Sequence, residues 1–477
     1  MDKKEAIEEK QLKRGLSNRH IQLIALGGAI GTGLFLGIGP AAVLAGPAVI
    51  LGYAIAGIIA FFIMRQLGEM VVNEPVSGSF SHFAYKYWGA FPGFASGWNY
   101  WILYILVSMS ELTAIGIYVQ FWWPEIPLWA SSLFFFIIIN LLNLASVKVY
   151  GEAEFWFSII KVVAILAMIV FGIYLLFSGT GGEQATISNL WNNGGFFPKG
   201  VLSGNSESGF KGLLAAMALI MFSFGGLELI GITAAEAENP EKNIPKATNQ
   251  VIYRILIFYV GALIILFSLA PWETITDKSS PFVMVFNNLN TIDVNIFGKT
   301  VAFSKIIANA LNLIVLTAAL SVYNSSVYSN SRMLYGLAEQ GNAPSFLKKL
   351  NKNYVPVMAI LVSSLFAAIC IIINKVIPES AFEILMSLVV STLVINWMMI
   401  SFTHLKYRKQ KSRENVKTLF PSFMYPISNY ISILFLFGIL VIMWFTGLKM
   451  SVELIPIWII ILYVSYLAVN ANKKKSN

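Results

Sequence analysis

Charge is what this chain has least of. Acidic and basic residues fill 12% of its 477 positions, about half the share usual in soluble globular domains. With 57% hydrophobic residues and a mean hydropathy of +0.71, a water-soluble fold is excluded and a polytopic membrane protein is expected. Cysteine is nearly absent: Cys370 is alone inside an apolar run, so no internal disulfide can form. The three histidines, His20, His82 and His404, are isolated in the sequence, and no metal site is suggested. There is no nucleophile beside a base and no phosphate-binding loop, so enzyme chemistry has no support. Long polar stretches are missing too. The two longest, 179–211 and 405–424, are too short and unpatterned to build a separate core.

What is present is a series of apolar stretches, each of about the 20 residues a helix needs to cross a bilayer. Twelve can be drawn, at 20–44, 47–72, 90–122, 128–147, 153–178, 212–236, 248–271, 300–336, 355–376, 382–404, 425–447 and 452–470. The third and eighth are long enough to tilt or to extend beyond the membrane. An even number of spans puts both termini on one side. Of the 33 lysines and arginines, 25 lie in the tails and even-numbered loops, 7 in the odd-numbered loops and their flanks, and Lys161 within a span. The net charge of +9 is therefore a topology signal and not a nucleic-acid footprint, and both termini are expected in the cytoplasm. The first apolar run begins only at Ile21 and more spans follow, so it is expected to stay as a helix and not to act as a cleaved signal. The expected organisation is a cytoplasmic tail at 1–19, a ten-helix core at 20–404, and two further helices with a second cytoplasmic tail at 405–477.

Two of the spans are interrupted by glycine. The first carries Gly27-Gly28-Ala29-Ile30-Gly31-Thr32-Gly33 and the sixth Phe222-Ser223-Phe224-Gly225-Gly226-Leu227-Glu228. A broken helix is costly in lipid unless ligand or cavity water satisfies its free backbone groups. Breaks in corresponding spans of two halves are the mark of a secondary transporter whose substrate lies at the midplane. Breaks in spans one and six fit two five-helix repeats of opposite orientation, although similarity between the halves is not visible by eye. In the first break a helix stops near Ala29, and a second half-helix starts near Thr32 with the amides of Gly31, Thr32 and Gly33 free to hold a carboxylate. The Thr32 hydroxyl adds a donor. In the second break, carbonyls near Phe222 and Gly225 offer partial negative charge to an ammonium group. Together they describe an α-amino acid. Glycines also serve close helix packing, and it is the pairing of two such runs at matching depth that favours binding.

Ionisable residues within spans are costly and usually functional. Lys161 lies about two turns into the fifth expected span, where an ammonium kept from water can exchange a proton. Glu228 follows the second break and Glu111 lies near mid-membrane; each either carries a proton or orients the site, with a buried ion pair or helix-register hydrogen bonds as the structural alternative. Arg65 and Glu69, at i and i+4, are expected to form a solvated local pair.

The run Leu16-Ser17-Asn18-Arg19-His20-Ile21-Gln22-Leu23-Ile24-Ala25-Leu26 and the glycines that follow resemble the opening of bacterial amino acid permeases of the amino acid, polyamine and organocation superfamily. Ala45-Gly46-Pro47, Gly68-Glu69-Met70 and Glu236-Ala237-Glu238-Asn239-Pro240 are similar to that family as well, and the likeness spans nearly the whole chain. Within the family, Ser77–Gly89 and Ser321-Val322-Tyr323-Asn324-Ser325 look most like aromatic amino acid permeases. The resemblance implies ten core helices in inverted repeats plus two, and proton-coupled uptake across the plasma membrane with no bound cofactor. It implies binding groups at Thr32, Gly33, Phe222 and Gly225, and puts Lys161 where sodium-coupled relatives hold a cation.

Side-chain preference must come from what lines the cavity beyond the breaks. Tyr100, Tyr104, Ser108 and Glu111 recur at helical spacing on one expected face, and Phe222 or Phe224 supplies an aromatic wall. Tyr104 or Glu111 is the candidate partner for a phenol or indole. Permeation of another neutral amino acid and amino acid exchange use the same fold; a sensor and a channel fit the sequence poorly. Oligomeric state is not legible.

Overall fold

The computed structural model describes residues 30–76, 78–198, 209–233, 239–276, 279–288, 293–296 and 299–476. Ala29, and with it the half-helix expected before the first break, lies outside these residues. From the non-helical Ile30 and Gly31 the chain enters α1 (Thr32–Phe35) and then α2 (Ile38–Ala45). Gly46 then takes a φ of 53°, open to glycine, and Pro47 cannot continue the preceding hydrogen-bond ladder, so the chain bends and restarts as α3 (Val49–Asn73). A short α4 (Ser79–Tyr87) leads into α5 (Ala90–Gln120) and α6 (Leu128–Ala145). Extended Ser146 separates α6 from α7 (Val147–Ser178), its hydroxyl capping the Val149 amide at 3.2 Å.

The second half opens with α8 (Gly209–Phe222), the break, and α9 (Leu229–Thr233). Next α10 (Pro240–Arg254) passes through a wider helical turn at Ile255–Gly261 into α11 (Ala262–Leu269). Then follow α12 (Pro281–Asn287), an antiparallel hairpin of β1 (Asp293–Ile296) and β2 (Lys299–Ala302), and α13 (Phe303–Glu339). The chain closes with α14 (Val357–Ala367), α15 (Ile369–Val376), α16 (Ala381–Arg413), α17 (Ile427–Phe445) and α18 (Lys449–Ser476).

Among the described residues, ten helical stretches are long and apolar enough to cross a membrane. The first, Thr32–Asn73, contains two of the expected spans because the bend at Gly46–Ala48 joins them, and the sixth expected span is the shorter Phe210–Phe222 with α9 beyond its break. Apart from the hairpin, the regular structure of the described residues is all helix, as expected of a multi-pass membrane protein. The helices α4 and α12 and the hairpin were not expected, since they lie in polar connections with no long apolar run to mark them. The fifth span also starts earlier than its hydropathy indicates, at Val147 and not near 153.

At the centre of the packing stands α5, flanked by α13 and α16 and buried on most of its circumference. By contrast α18 exposes Ile457, Ile460, Val464 and Leu467. An apolar surface of this extent is what a membrane-spanning helix presents.

The expected solvated pair of Arg65 and Glu69 is not formed. Glu69 is fully buried and accepts from His404 Nε2 at 2.8 Å, Arg408 Nη1 at 2.9 Å and the Ser422 amide at 2.7 Å. Arg65 instead donates to Asn249 Oδ1 at 2.8 Å and covers the Phe420 ring. Local spacing pointed to the wrong partner because the real ones arrive from α16 and from the connection after it, over 300 residues away in sequence. Nor is His404 isolated: its second nitrogen meets Asn429 Nδ2 at 3.1 Å, which brings in α17. Truncating Glu69 leaves three donors facing a void, and removing one partner of a buried pair costs about 3 kcal/mol. Glu69→Ala is therefore expected to lower the thermal midpoint of the purified protein markedly; an unchanged midpoint would show that this network does not hold α3 to α16.

Candidate functional site

The start of α1, where the first break is expected, meets the break after α8. A Cβ built on Gly33 would lie 2.5 Å from the Ser223 Cα and 2.9 Å from its amide nitrogen, so only glycine permits this approach of backbone to backbone. Ser223 is held from the other side. Its carbonyl accepts from Tyr259 Oη at 2.8 Å, and its hydroxyl pairs with Tyr53 Oη at 2.6 Å. The chain then folds through tight turns, with Gly225 N donating to the Phe222 carbonyl at 3.3 Å and Leu229 N to the Gly226 carbonyl at 3.2 Å. Gly226 has a φ of 102°, a backbone state that side-chain-bearing residues rarely adopt.

Between the breaks lies a cavity lined by Gly31, Gly33, Tyr104, Glu111, Phe222, Ser223, Gly225 and Glu228, with Leu103, Val107, Val322, Ser325 and Val389 as its apolar and small-residue walls. Its volume is about 30 Å³, room for a water or two and far less than an amino acid occupies. As it stands, the cavity is too small to hold one.

Each break is attended by a buried glutamate. Glu111 from α5 accepts a hydrogen bond from the Thr32 hydroxyl, and the Thr32 amide approaches the same carboxylate. A carboxylate group thus rests against the start of α1, where free amides are disposed toward negative charge. Glu228 accepts from Tyr104 Oη at 3.2 Å, Trp397 Nε1 at 3.3 Å and the Gly226 amide at 3.4 Å. These contacts tie the second break to α5 and α16.

The remaining candidates stand behind the wall. Lys161 on α7 is fully buried and donates to Ser321 Oγ at 2.8 Å; that hydroxyl donates in turn to Glu154 Oε1 at 2.5 Å, and Asn324 Nδ2 meets the other oxygen at 3.4 Å. Phe224 does not line the cavity. Its ring stacks on Tyr259 at 5.0 Å and lies 5.8 Å from Tyr53, so the aromatic wall is Phe222, edge-on to Phe382 at 6.0 Å. Of the expected α5 face, Tyr104 and Glu111 reach the cavity. Ser108 turns back to the Tyr104 carbonyl at 2.8 Å, and Tyr100 packs between Phe80 and Tyr104.

A family model described as "Amino acid permease" matches residues 20–477. The chain belongs to the amino acid permease family. The permease is 63% identical over 96% of its length to the aromatic amino acid transport protein AroP of Escherichia coli K12, covering 95% of that protein. It is 62% identical, with the same coverage, to AroP of Salmonella typhimurium LT2. An uncharacterized amino acid permease of Bacillus subtilis 168, YtnA, is 41% identical over 98% of this chain and 97% of its own.

Sequence reasoning missed several residues of this site. Glu154 sits seven positions before Lys161, two helical turns along one face, and was overlooked because the fifth span was drawn from 153 and put it at the membrane edge. Trp397 and Val389 carry no local signal and enter by tertiary packing alone; Val322 and Ser325 lie in the run that carries the resemblance but were not singled out as lining residues. Tyr53 and Tyr259, which clamp Ser223, are likewise invisible before folding.

The glycine geometry yields a sharp test in the permease. Gly33→Ala is expected to force the breaks apart and abolish substrate binding, whereas Gly225→Ala, whose Cβ would meet nothing closer than 3.5 Å, keeps the fold. Isothermal titration of both purified variants with phenylalanine measures this, and wild-type binding by Gly33→Ala would mean that the contact at Ser223 is not part of the site.

Proposed function

We propose that the permease takes up aromatic amino acids by proton-coupled alternating access across the plasma membrane. The reading rests chiefly on one observation: a carboxylate, that of Glu111, already lies against the donors of the first break. A substrate carboxylate fits the same donors at Gly31, Thr32 and Gly33. Its ammonium group is assigned to the carbonyl side of the second break near Phe222 and Gly225, and its ring to the wall of Phe222 and Tyr104. The names carried by the AroP relatives support the aromatic preference. Because the cavity is far smaller than the substrate, loading requires the walls to separate and closure follows around the ligand, as alternating access demands.

In this reading the twelve spans comprise two inverted repeats of five and two added helices, with a core at 20–404, tails at 1–19 and beyond, and both termini cytoplasmic. Lys161 is the built-in protonatable cation, with Glu111 and Glu228 as the carboxylates that exchange protons or orient the site; no bound cofactor takes part. Exchange of one amino acid for another would use the same cavity. Proton-driven accumulation in substrate-free vesicles separates the two.

Lys161→Gln retains a donor for Ser321 without a titratable ammonium. It is expected to abolish accumulation driven by an imposed proton gradient while retaining counterflow of labelled phenylalanine; undiminished accumulation would remove Lys161 from coupling. Competition of labelled phenylalanine uptake by all twenty amino acids is expected to single out tyrosine and tryptophan, and equal competition by small neutral amino acids would overturn the aromatic assignment. A third outcome concerns Tyr104, whose hydroxyl donates to Glu228 and whose oxygen lone pairs can accept from a phenol or indole. Tyr104→Phe should weaken tyrosine and tryptophan uptake about two- to tenfold and spare phenylalanine, the effect of one neutral hydrogen bond. Equal loss for all three substrates would mean that Tyr104 serves only to hold Glu228.

A further inference from the structure

The last turns of α16, about 24 to 36 Å along the helix from the cavity residue Val389, border a second hollow of about 980 Å³. Six cationic side chains line it: Lys406, Arg408, Lys409, Lys411, Arg413 and Lys417. No carboxylate is among its lining residues. Arg408 is paired with Glu69 at 2.9 Å, and Lys411 reaches the exposed Glu414 at 3.8 Å. Among the described residues, the other four have no carboxylate within 4 Å.

Topology alone does not account for this. Retention of positive charge on one side of the membrane places lysines anywhere along a short connection, whereas here they surround one concavity at the cost of mutual repulsion. A bound anion removes that cost. The surroundings of the hollow identify the kind of anion. Its far wall is Tyr425, Pro426 and Tyr430, at the start of α17. The same helix then exposes Ile427, Ile431 and Leu434, an apolar strip that starts one residue after Pro426 of the hollow's lining.

We propose that this hollow is a binding site for the phosphate headgroup of an anionic phospholipid, whose acyl chains lie along the exposed strip of α17. Phosphate oxygens would sit among Lys406, Lys409, Arg413 and Lys417. Basic pockets at the membrane boundary recognise anionic lipids in this manner, each cation near the surface contributing about a fivefold factor in affinity. A soluble phosphate would meet the same charges and leave the apolar strip unused.

The test uses the full-length protein in neutral detergent, titrated with short-chain phosphatidylglycerol, the matching phosphatidylcholine and inorganic phosphate. Binding is followed by native mass spectrometry and by the thermal midpoint. Phosphatidylglycerol is expected to bind and to raise the midpoint, with phosphatidylcholine and phosphate far weaker. The triple variant Lys406→Gln, Lys409→Gln, Lys417→Gln, which leaves the pairs of Arg408 and Lys411 intact, should lose about a hundredfold in phosphatidylglycerol affinity. The corresponding triple arginine variant should retain the preference, which keeps the test valid if the glutamine variant folds poorly. Equal binding of the two lipids, a midpoint raised as much by inorganic phosphate, or undiminished preference in the glutamine variant would overturn the proposal.

Discussion

Backbone polarity in a lipid-bounded protein governs this structure: wherever the helical ladder stops, its amides and carbonyls must be answered from within the protein. The two breaks are where that demand is greatest, and buried glutamates, Glu111 at the first and Glu228 at the second, stand beside them. Tyr259 answers the carbonyl of Ser223. Only the bond from the Gly226 amide to Glu228, two residues along, is local in sequence; for the rest, α5, α16 and α10 with its continuation must all be in place. The permease core is thus organised around its interruptions, and α5 is central because it carries contacts to both.

The same logic extends to the side of the core away from the cavity. Lys161, Ser321, Glu154 and Asn324 form a continuous polar chain between α7 and α13, in which each group finds a partner that offsets its removal from water. Asn143 on α6 joins through Asn324 at 2.8 Å. Three helices are therefore registered by polar contacts. A rearrangement of any one of them must break or exchange these bonds, which is how a change at one charged group can reach the packing of a whole helix.

Much of this was legible before folding. Helix is present in all twelve apolar stretches, because an uninterrupted run of about 20 apolar residues has few alternatives in a bilayer. The breaks were visible as glycine clusters set in such runs, and Gly31, Gly33, Tyr104, Glu111, Phe222, Gly225 and Glu228 do meet in one cavity. Direction within a break was not legible. The chain there follows neither helical nor strand periodicity, so which of Phe222 and Phe224 faced inward depended on Tyr53 and Tyr259, contributed by other helices. The partner of Glu69 was misjudged for a related reason: an i, i+4 neighbour is the right guess on a solvated helix, and Glu69 is not on a solvated face.

The smallness of the cavity bears on what the cell does not lose. Lined by Leu103, Val107, Val322 and Val389 between its polar ends, a void of about 30 Å³ among the described residues has no room for a hydrated ion. An ion entering it would have to shed most of its hydration shell against aliphatic side chains, a step with a large electrostatic penalty. In the proposed alternating-access cycle, a permease that closes onto such a void between transport events would admit no hydrated ion at this point, so many copies could share one membrane at little cost to the potential across it.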